Sequence, residues 1–335
     1  MLSGDDLPYD AAGARTRTGA QGGPAMKRRH FLLGAAGTAL AAAALPARAA
    51  TGKGYEFIQV DVFTQTPLQG NPLAVFVAAA GLSDDQMQSI ARELNHSETT
   101  FILPPTGKGD ARVRIFGQNA ELPFAGHPTL GTAFVMAQTR PGKTALVLEE
   151  NVGPIPVTIE RRADGVFVEM TQNEPVFGAK ADPKMLADLM GFGVDEIDGR
   201  YAPQMVSTGS NFLIVPLKSV TTLATLTLGH QLPPEQRKVF GTGAYYVVTG
   251  EPQIESRMMG ATSEDPATGS AVGCAAAFLI QNGIRKPDEP IAIRQGRFVN
   301  RPSMLYVRAG MAGGKATNVR VGGYVVEVMR GKFTV

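Results

Sequence analysis

Residues 271–281 constrain this chain most. They are rich in Ala, Phe, Leu and Ile, apolar nearly all round, and read as a helix opened by Glu264-Asp265-Pro266-Ala267-Thr268-Gly269-Ser270. A helix with no polar face has to be buried on every side. A second such segment, residues 129–138, follows the turn Gly126-His127-Pro128, and its small residues Gly131 and Ala133 predict close approach by surrounding strands. Strand-like text flanks both segments. The order of strands, a glycine-containing turn, a buried helix and more strands thus occurs twice. The expected fold class is α+β, in two similar lobes, each a curved and mostly antiparallel sheet around one central helix. The lobes are expected at residues 54–172 with 322–335, and at residues 173–321.

The local readings are these. Residues 55–63 are β-rich and partly alternating, 69–72 are a turn, and 73–77 are a buried strand. Ser83-Asp84-Asp85-Gln86 has a capping-type pattern and opens a helix to about Leu94, with Met87, Ile90, Ala91 and Leu94 on one face. Strands follow at 99–103, 111–116, 144–148, 155–160 and 166–170. Residues 207–215 echo 95–103, and further strands lie at 244–249, 291–294, 304–308 and 324–329.

Residues 1–50 read as something other than fold. Met26-Lys27-Arg28-Arg29-His30-Phe31-Leu32-Leu33 supplies a basic start, an Ala-rich apolar run follows, and Ala47-Arg48-Ala49 fits a cleavage site. The paired arginines resemble a twin-arginine export signal, which predicts a periplasmic or otherwise extracytoplasmic protein that meets the membrane only during export. Met26 fits as a start of its own. This segment carries six Lys/Arg and three Asp/Glu, so the net charge of +2 becomes −1 for the remainder. The basic tilt belongs to the targeting segment, and no basic stripe with interleaved aromatics marks a nucleic-acid partner.

Of the 335 residues, 44% are hydrophobic and 19% charged, enough to build a full core. Chemistry is expected at the two helix starts. A helix N-terminus presents unpaired N–H groups and about half a positive charge. Two such ends facing each other suit an anion, most simply a carboxylate. Glu98, just before a strand, becomes a base if burial lifts its pKa toward working pH. His127 lies in the first turn, and Glu264-Asp265 precedes the second. There is no metal-ligand cluster, phosphate loop, Gly-x-Gly-x-x-Gly fingerprint or Gly-x-Ser-x-Gly elbow. Cys274 is the one cysteine. It lies within the second apolar helix, as a small core residue would.

Five segments, in order, resemble the PhzF family, the phenazine-biosynthesis isomerases and their relatives. They are Asp61-Val62-Phe63-Thr64; Gly70-Asn71-Pro72-Leu73-Ala74-Val75; Ser97-Glu98-Thr99-Thr100-Phe101; Glu121-Leu122-Pro123-Phe124-Ala125-Gly126-His127-Pro128-Thr129-Leu130-Gly131; and Glu264-Asp265-Pro266-Ala267-Thr268-Gly269-Ser270-Ala271. Gln295-Gly296 and Arg301-Pro302-Ser303 add a later match. The resemblance implies a diaminopimelate epimerase-like fold and cofactor-free isomerisation of a small carboxylic acid. It implies Glu98 as the residue that moves the proton, with His127 and Asp265 assisting. Gly126, Gly269 and Ser270 would line the substrate site, and a homodimer is implied.

The epimerase relatives use two cysteines, one at each helix turn. Neither turn holds one here, which disfavours a two-thiol racemase. The chain also departs from the family pattern at Gly117-Gln118 and at residues 258–263. Both stretches are expected near the site, which points to a different substrate. Two competing readings are a non-catalytic extracytoplasmic metabolite-binding protein and a thiol-independent epimerase using Glu98 and Asp265.

Overall fold

Aromatic and β-branched residues favour an extended chain with packed side chains. The first such run, Gly54–Val62, forms β1, and β2 (Asn71–Phe76) returns antiparallel to it. Helix α1 (Asp84–Leu94) starts on a reciprocal capping box: the Gln86 N–H donates to Ser83 Oγ, and the Ser83 N–H donates to Gln86 Oε1. It ends at Asn95, whose φ of 55° is left-handed. β3 (Glu98–Leu103) runs parallel to β2. β4 (Ala111–Gly117) pairs antiparallel with β3 and with the two-residue β5 (Glu121–Leu122). After helix α2 (Gly126–Gln138), β6 (Ala145–Glu150) runs parallel to β4. β7 (Gly153–Arg162) and β8 (Gly165–Thr171) then complete an antiparallel meander.

The second series begins after β9 (Val176–Lys180) and α3 (Pro183–Met190). β10 (Gln204–Ser207) and β11 (Asn211–Leu217) are antiparallel, and α4 (Val220–Thr225) leads on from them. β12 (Gly243–Val248) is parallel to β11, and β13 (Ile254–Met259) is antiparallel to both β12 and the two-residue β14 (Glu264–Asp265). After helix α5 (Gly269–Gln281), β15 (Ile291–Gln295) runs parallel to β13, followed by antiparallel β16 (Ser303–Ala312) and β17 (Lys315–Thr334). From β10 to β17 the pairing repeats, strand for strand, that of β1 to β8. β17 joins the two series, pairing with β16, β8 and β1 in turn along its length.

This computed structural model describes residues 52–226, 241–249, 253–260 and 263–335. The export signal read at residues 1–50, and Ala261 and Thr262 of the 258–263 stretch, lie outside the described residues.

The apolar helices are buried on all sides. Residues 126–137 of α2 and 269–280 of α5 are all in the core. A Cβ on Gly131 would lie 2.6 Å from a Leu73 methyl, so glycine is what lets β2 approach α2 this closely.

Three local expectations need correction. Both helices start earlier than read. Gly126, His127 and Pro128 are the first residues of α2, and Gly269 and Ser270 the first of α5. Pro128 is tolerated because first-turn N–H groups have no helical partner to lose. Residues 207–215 do not echo 95–103: β11 runs parallel to β12 as β2 does to β3, so they take the place of β1–β2. Several elements went unread, among them β9, α3, α4 and β13. β13 reads Ile-Glu-Ser-Arg-Met-Met, and its charges hide the strand. They are buried by ion pairs, Arg257 with Glu264 and Glu255 with Arg297.

Candidate functional site

The two helix starts meet. A Cβ on Gly126 would fall 2.4 Å from both the Gly269 carbonyl carbon and the Ser270 nitrogen, and one on Gly269 would fall 3.0 Å from Gly126. Only two glycines let the backbones touch here. The positive ends of α2 and α5 therefore lie side by side, with the first-turn N–H groups of both concentrated in one place. Neither N-cap residue, Ala125 or Thr268, uses a side chain to cap its helix.

Glu98, His127 and Asp265 gather at this junction. Glu98 is the first residue of β3, and its Oε2 lies 3.5 Å from His127 Nε2. Both atoms are buried and neither has a hydrogen-bond partner. The Glu98 side chain as a whole keeps 19% of its surface exposed, so a small molecule can reach it. Asp265 is the last residue of β14 and is well bonded. It accepts from Asn71 Nδ2 at 2.8 Å, Ser97 Oγ at 3.2 Å and Thr268 Oγ1 at 2.5 Å.

Asn71 is the residue that sequence reasoning missed. Its Nδ2 also donates to the Ala267 carbonyl at 2.9 Å and lies 3.1 Å from His127 Nδ1. One buried amide thus links a residue of the first series to two of the second. Its presentation is fixed from behind: Arg301 donates to the Gly70 carbonyl at 2.7 Å, to the Gln69 carbonyl at 2.8 Å and to Asp61 Oδ1 at 2.6 Å. Gln295 was likewise quoted without a role, and it holds the turn before α5. It donates to the Asp265 carbonyl at 2.9 Å and to Thr268 Oγ1 at 3.1 Å, and accepts from the Thr268 N–H at 3.2 Å. The available signal was a polar residue, Asn71, opening an otherwise apolar strand.

Burial governs the protonation states. It raises the Glu98 carboxyl far above the usual carboxylate range, and the Asp265 charge adds to the rise. Burial raises Asp265 as well, but less, because its bonds from Thr268, Asn71 and Ser97 stabilise the anion. Burial holds His127 down to about 3, with a further push from His96 and opposed by a backbone bond at Pro72. At neutral pH the imidazole is therefore uncharged. A carboxyl that favours its acid form, a carboxylate that favours its anion and a neutral imidazole then share one site. Environments that separate two acids in this way suit proton transfer.

Cys274 lies deeper in α5, fully buried, its thiol pushed up to about 11 by burial and 3.5 Å from Thr208 Oγ1. It packs in the core. Among the described residues, no group of three or more His, Cys, Asp or Glu is arranged to hold a metal. Gly117 pairs across from Glu98, and Met258 pairs across from Asp265. The two stretches that depart from the family pattern therefore each flank one of the acids.

Known proteins resemble this chain in sequence and in fold. The model of the PhzC-PhzF family, the phenazine biosynthesis-like proteins, matches residues 60–331. The trans-2,3-dihydro-3-hydroxyanthranilate isomerase of Pseudomonas aeruginosa is 36% identical over 283 residues, 80% of this chain and 95% of that protein. An uncharacterized isomerase of Mesorhizobium japonicum is 34% identical over 297 residues, 83% of this chain and 98% of that protein. Among solved structures, a Pseudomonas aeruginosa protein described as a predicted epimerase matches with a TM-score of 0.75 and 34% identity, over 84% of this chain and 99% of its own. A hydroxyproline epimerase from Agrobacterium vitis shares the fold, with a TM-score of 0.59 and 13% identity over 84% of this chain and 93% of its own.

Proposed function

Because this chain belongs to the PhzC-PhzF family of phenazine biosynthesis-like proteins and is an isomerase, we propose that it moves a proton between carbons of a small carboxylic acid, without a cofactor. Glu98 carries the proton. As a carboxylate it takes a proton from one carbon, the electron pair shifts through the substrate, and the resulting acid returns a proton to another carbon. Nothing is oxidised or reduced. His127 and Asp265 assist, and the N–H groups at Gly126, Gly269 and Ser270, with the Ser270 hydroxyl, hold the substrate carboxylate. The observation that carries this reading is the pairing of Glu98 Oε2 with His127 Nε2 at 3.5 Å, both unpartnered, beside the packed starts of α2 and α5. Donors fixed where negative charge develops stabilise such a reaction without reorganising.

The relative from Pseudomonas aeruginosa is named for trans-2,3-dihydro-3-hydroxyanthranilate. Gly117 and Met258, beside the two acids, support a different carboxylate as substrate here. A second reading rests on Asp265, a second buried acid at the same helix junction: Glu98 and Asp265 would then invert a stereocentre as an acid–base pair. The repeated pairing supports two lobes, residues 54–172 with 322–335 and residues 173–321. The export signal supports an extracytoplasmic site of action, which cell fractionation tests. Light scattering tests the homodimer.

The deciding experiment incubates the protein with a pool of carboxylate metabolites in deuterated water, with Glu98→Gln as control. A compound that gains a non-exchangeable deuteron and changes its retention supports isomerisation, and inversion of one stereocentre supports the second reading. Binding without exchange would make the protein a metabolite-binding protein.

A further inference from the structure

Glu150 is a buried acid that this reaction does not use. It ends β6, only 5% exposed, beneath the segment that leads into α2. Its Oε1 lies 2.6 Å from Thr129 Oγ1, and the same hydroxyl lies 2.7 Å from the Ala125 carbonyl oxygen. A hydroxyl has one hydrogen to donate. Two acceptors at these distances leave one contact without a proton, unless the carboxyl brings its own. Glu150 Oε2 is buried and has no partner, so an ionised group there would hold charge on an unsolvated oxygen. The charged group facing it from β4, Arg112, is engaged by the Glu149 carbonyl and by Asn151. From β5, Glu121 is engaged by Arg114 and Asn151. A neutral acid resolves the conflict: Glu150 donates to Thr129, and Thr129 donates to Ala125.

The internal repeat points the same way. Leu148 pairs with Ala111, and Ile293 pairs with Ile254, in the equivalent parallel ladders. Two residues further along each strand, Glu150 and Gln295 are therefore counterparts. Gln295 is a neutral donor holding the turn before α5 through Thr268 and the Asp265 carbonyl. The next two residues after Glu150 also grip the segment before α2: Asn151 Nδ2 donates to Glu121 Oε1 at 3.1 Å, and the Val152 N–H donates to the Pro123 carbonyl at 3.2 Å.

We propose that Glu150 is a positioning residue that works as a neutral acid, holding the first turn of α2, and with it Gly126 and His127, through Thr129 and the Ala125 carbonyl. Burial, opposed by the Arg112 charge, keeps its proton on at neutral pH. The functional consequence rests on the proposed roles of Gly126 and His127, but the protonation state does not.

The test compares infrared spectra of the full-length protein with those of Glu150→Gln and Thr129→Val at pH 7. The expected result is loss of a protonated-carboxyl band in Glu150→Gln and its shift to higher frequency in Thr129→Val, where the bond is gone. Loss of a carboxylate band instead, or a band unmoved in Thr129→Val, overturns the neutral acid. His127 ring signals in NMR read the positioning. They stay in place in Glu150→Gln, whose amide donates as Gln295 does, and move in Glu150→Ala and Thr129→Val. Signals unmoved in both of the latter, with the fold intact by circular dichroism, overturn the positioning role. A failure of the deuterium experiment leaves these spectra as they are, so the two failures are distinguishable.

Discussion

The region leading into α2 and the region leading into α5 are built alike and equipped differently. In each, a strand arginine grips a glutamate on the following two-residue strand: Arg114 with Glu121, and Arg257 with Glu264. In each, a glycine starts the helix. The chemistry breaks the symmetry. Thr99 pairs with Phe116 as Ala244 pairs with Met259, so the residue before each makes Glu98 the counterpart of Gly243. Phe116 pairs with Glu121 as Met259 pairs with Glu264, so the residue after each makes Leu122 the counterpart of Asp265. At the second helical position, His127 corresponds to Ser270. The backbone frame is doubled to bring two positive helix ends together, while each acid occurs once, at non-equivalent positions. Two acids in unlike surroundings titrate apart, and one holds a proton while the other does not.

The largest expected effect follows from that asymmetry. Glu98→Gln should lower deuterium transfer by roughly 10²–10⁴-fold, the range of general acid–base catalysis, with circular dichroism unchanged. An equal loss in Glu98→Gln and Asp265→Asn would mean that the two acids act as an equivalent pair, which favours epimerisation. The arginine clamps come next. Arg257 and Glu264 are buried, with side chains 7% and 2% exposed, whereas Arg114 and Glu121 retain 17% and 24%. Arg257→Met strands a buried carboxylate and should cost about 3–5 kcal/mol in urea unfolding. Arg114→Met should cost about 1 kcal/mol or less. Similar losses would show that the two clamps are energetically alike.

Gly126→Ala drives a methyl into the Gly269–Ser270 backbone and should cost about 1–3 kcal/mol. Gly269→Ala meets its nearest neighbours at 3.0 Å, and its melting temperature should fall less. The smallest effect concerns Glu150 and its neutral counterpart Gln295. The Glu150 carboxyl rises from an ordinary 4.5 to about 8 in the folded protein. Between those values the folded state holds a proton that the unfolded state has released, so its stability falls as pH rises. Glu150→Gln removes this fall, and its melting temperature should gain on the wild type's from pH 5 to pH 8. A constant difference would contradict it. His127, held down to about 3 from 6.5, acts in the opposite sense and is common to both proteins.

Much of the frame was legible because it depends on near neighbours. The Ser83 capping box, the alternation in β4 and the all-round apolar character of α5 are local patterns with local causes. Glu98, His127 and Asp265 were legible as motif residues, and all three meet at the helix junction. β13 was hidden because its charges are neutralised only by distant partners. The early start of α2 was hidden because proline reads as a breaker except in a first turn. Asn71 was quoted but given no role, since its three neighbours lie 56, 194 and 196 residues away along the chain.

The sequence by itself determined that two helices had to be buried, which turns precede them, and that neither turn could supply a thiol. Composition and periodicity set those outcomes, since a helix without a polar face has no alternative to the interior. Tertiary structure decided that Gly126 lies against Gly269, that a single asparagine joins His127 to Asp265, and which carboxyls keep their protons. Those outcomes depend on burial and on distances of a few ångströms between residues far apart in the chain, where the loss of water shifts a pKa more than any neighbour in sequence.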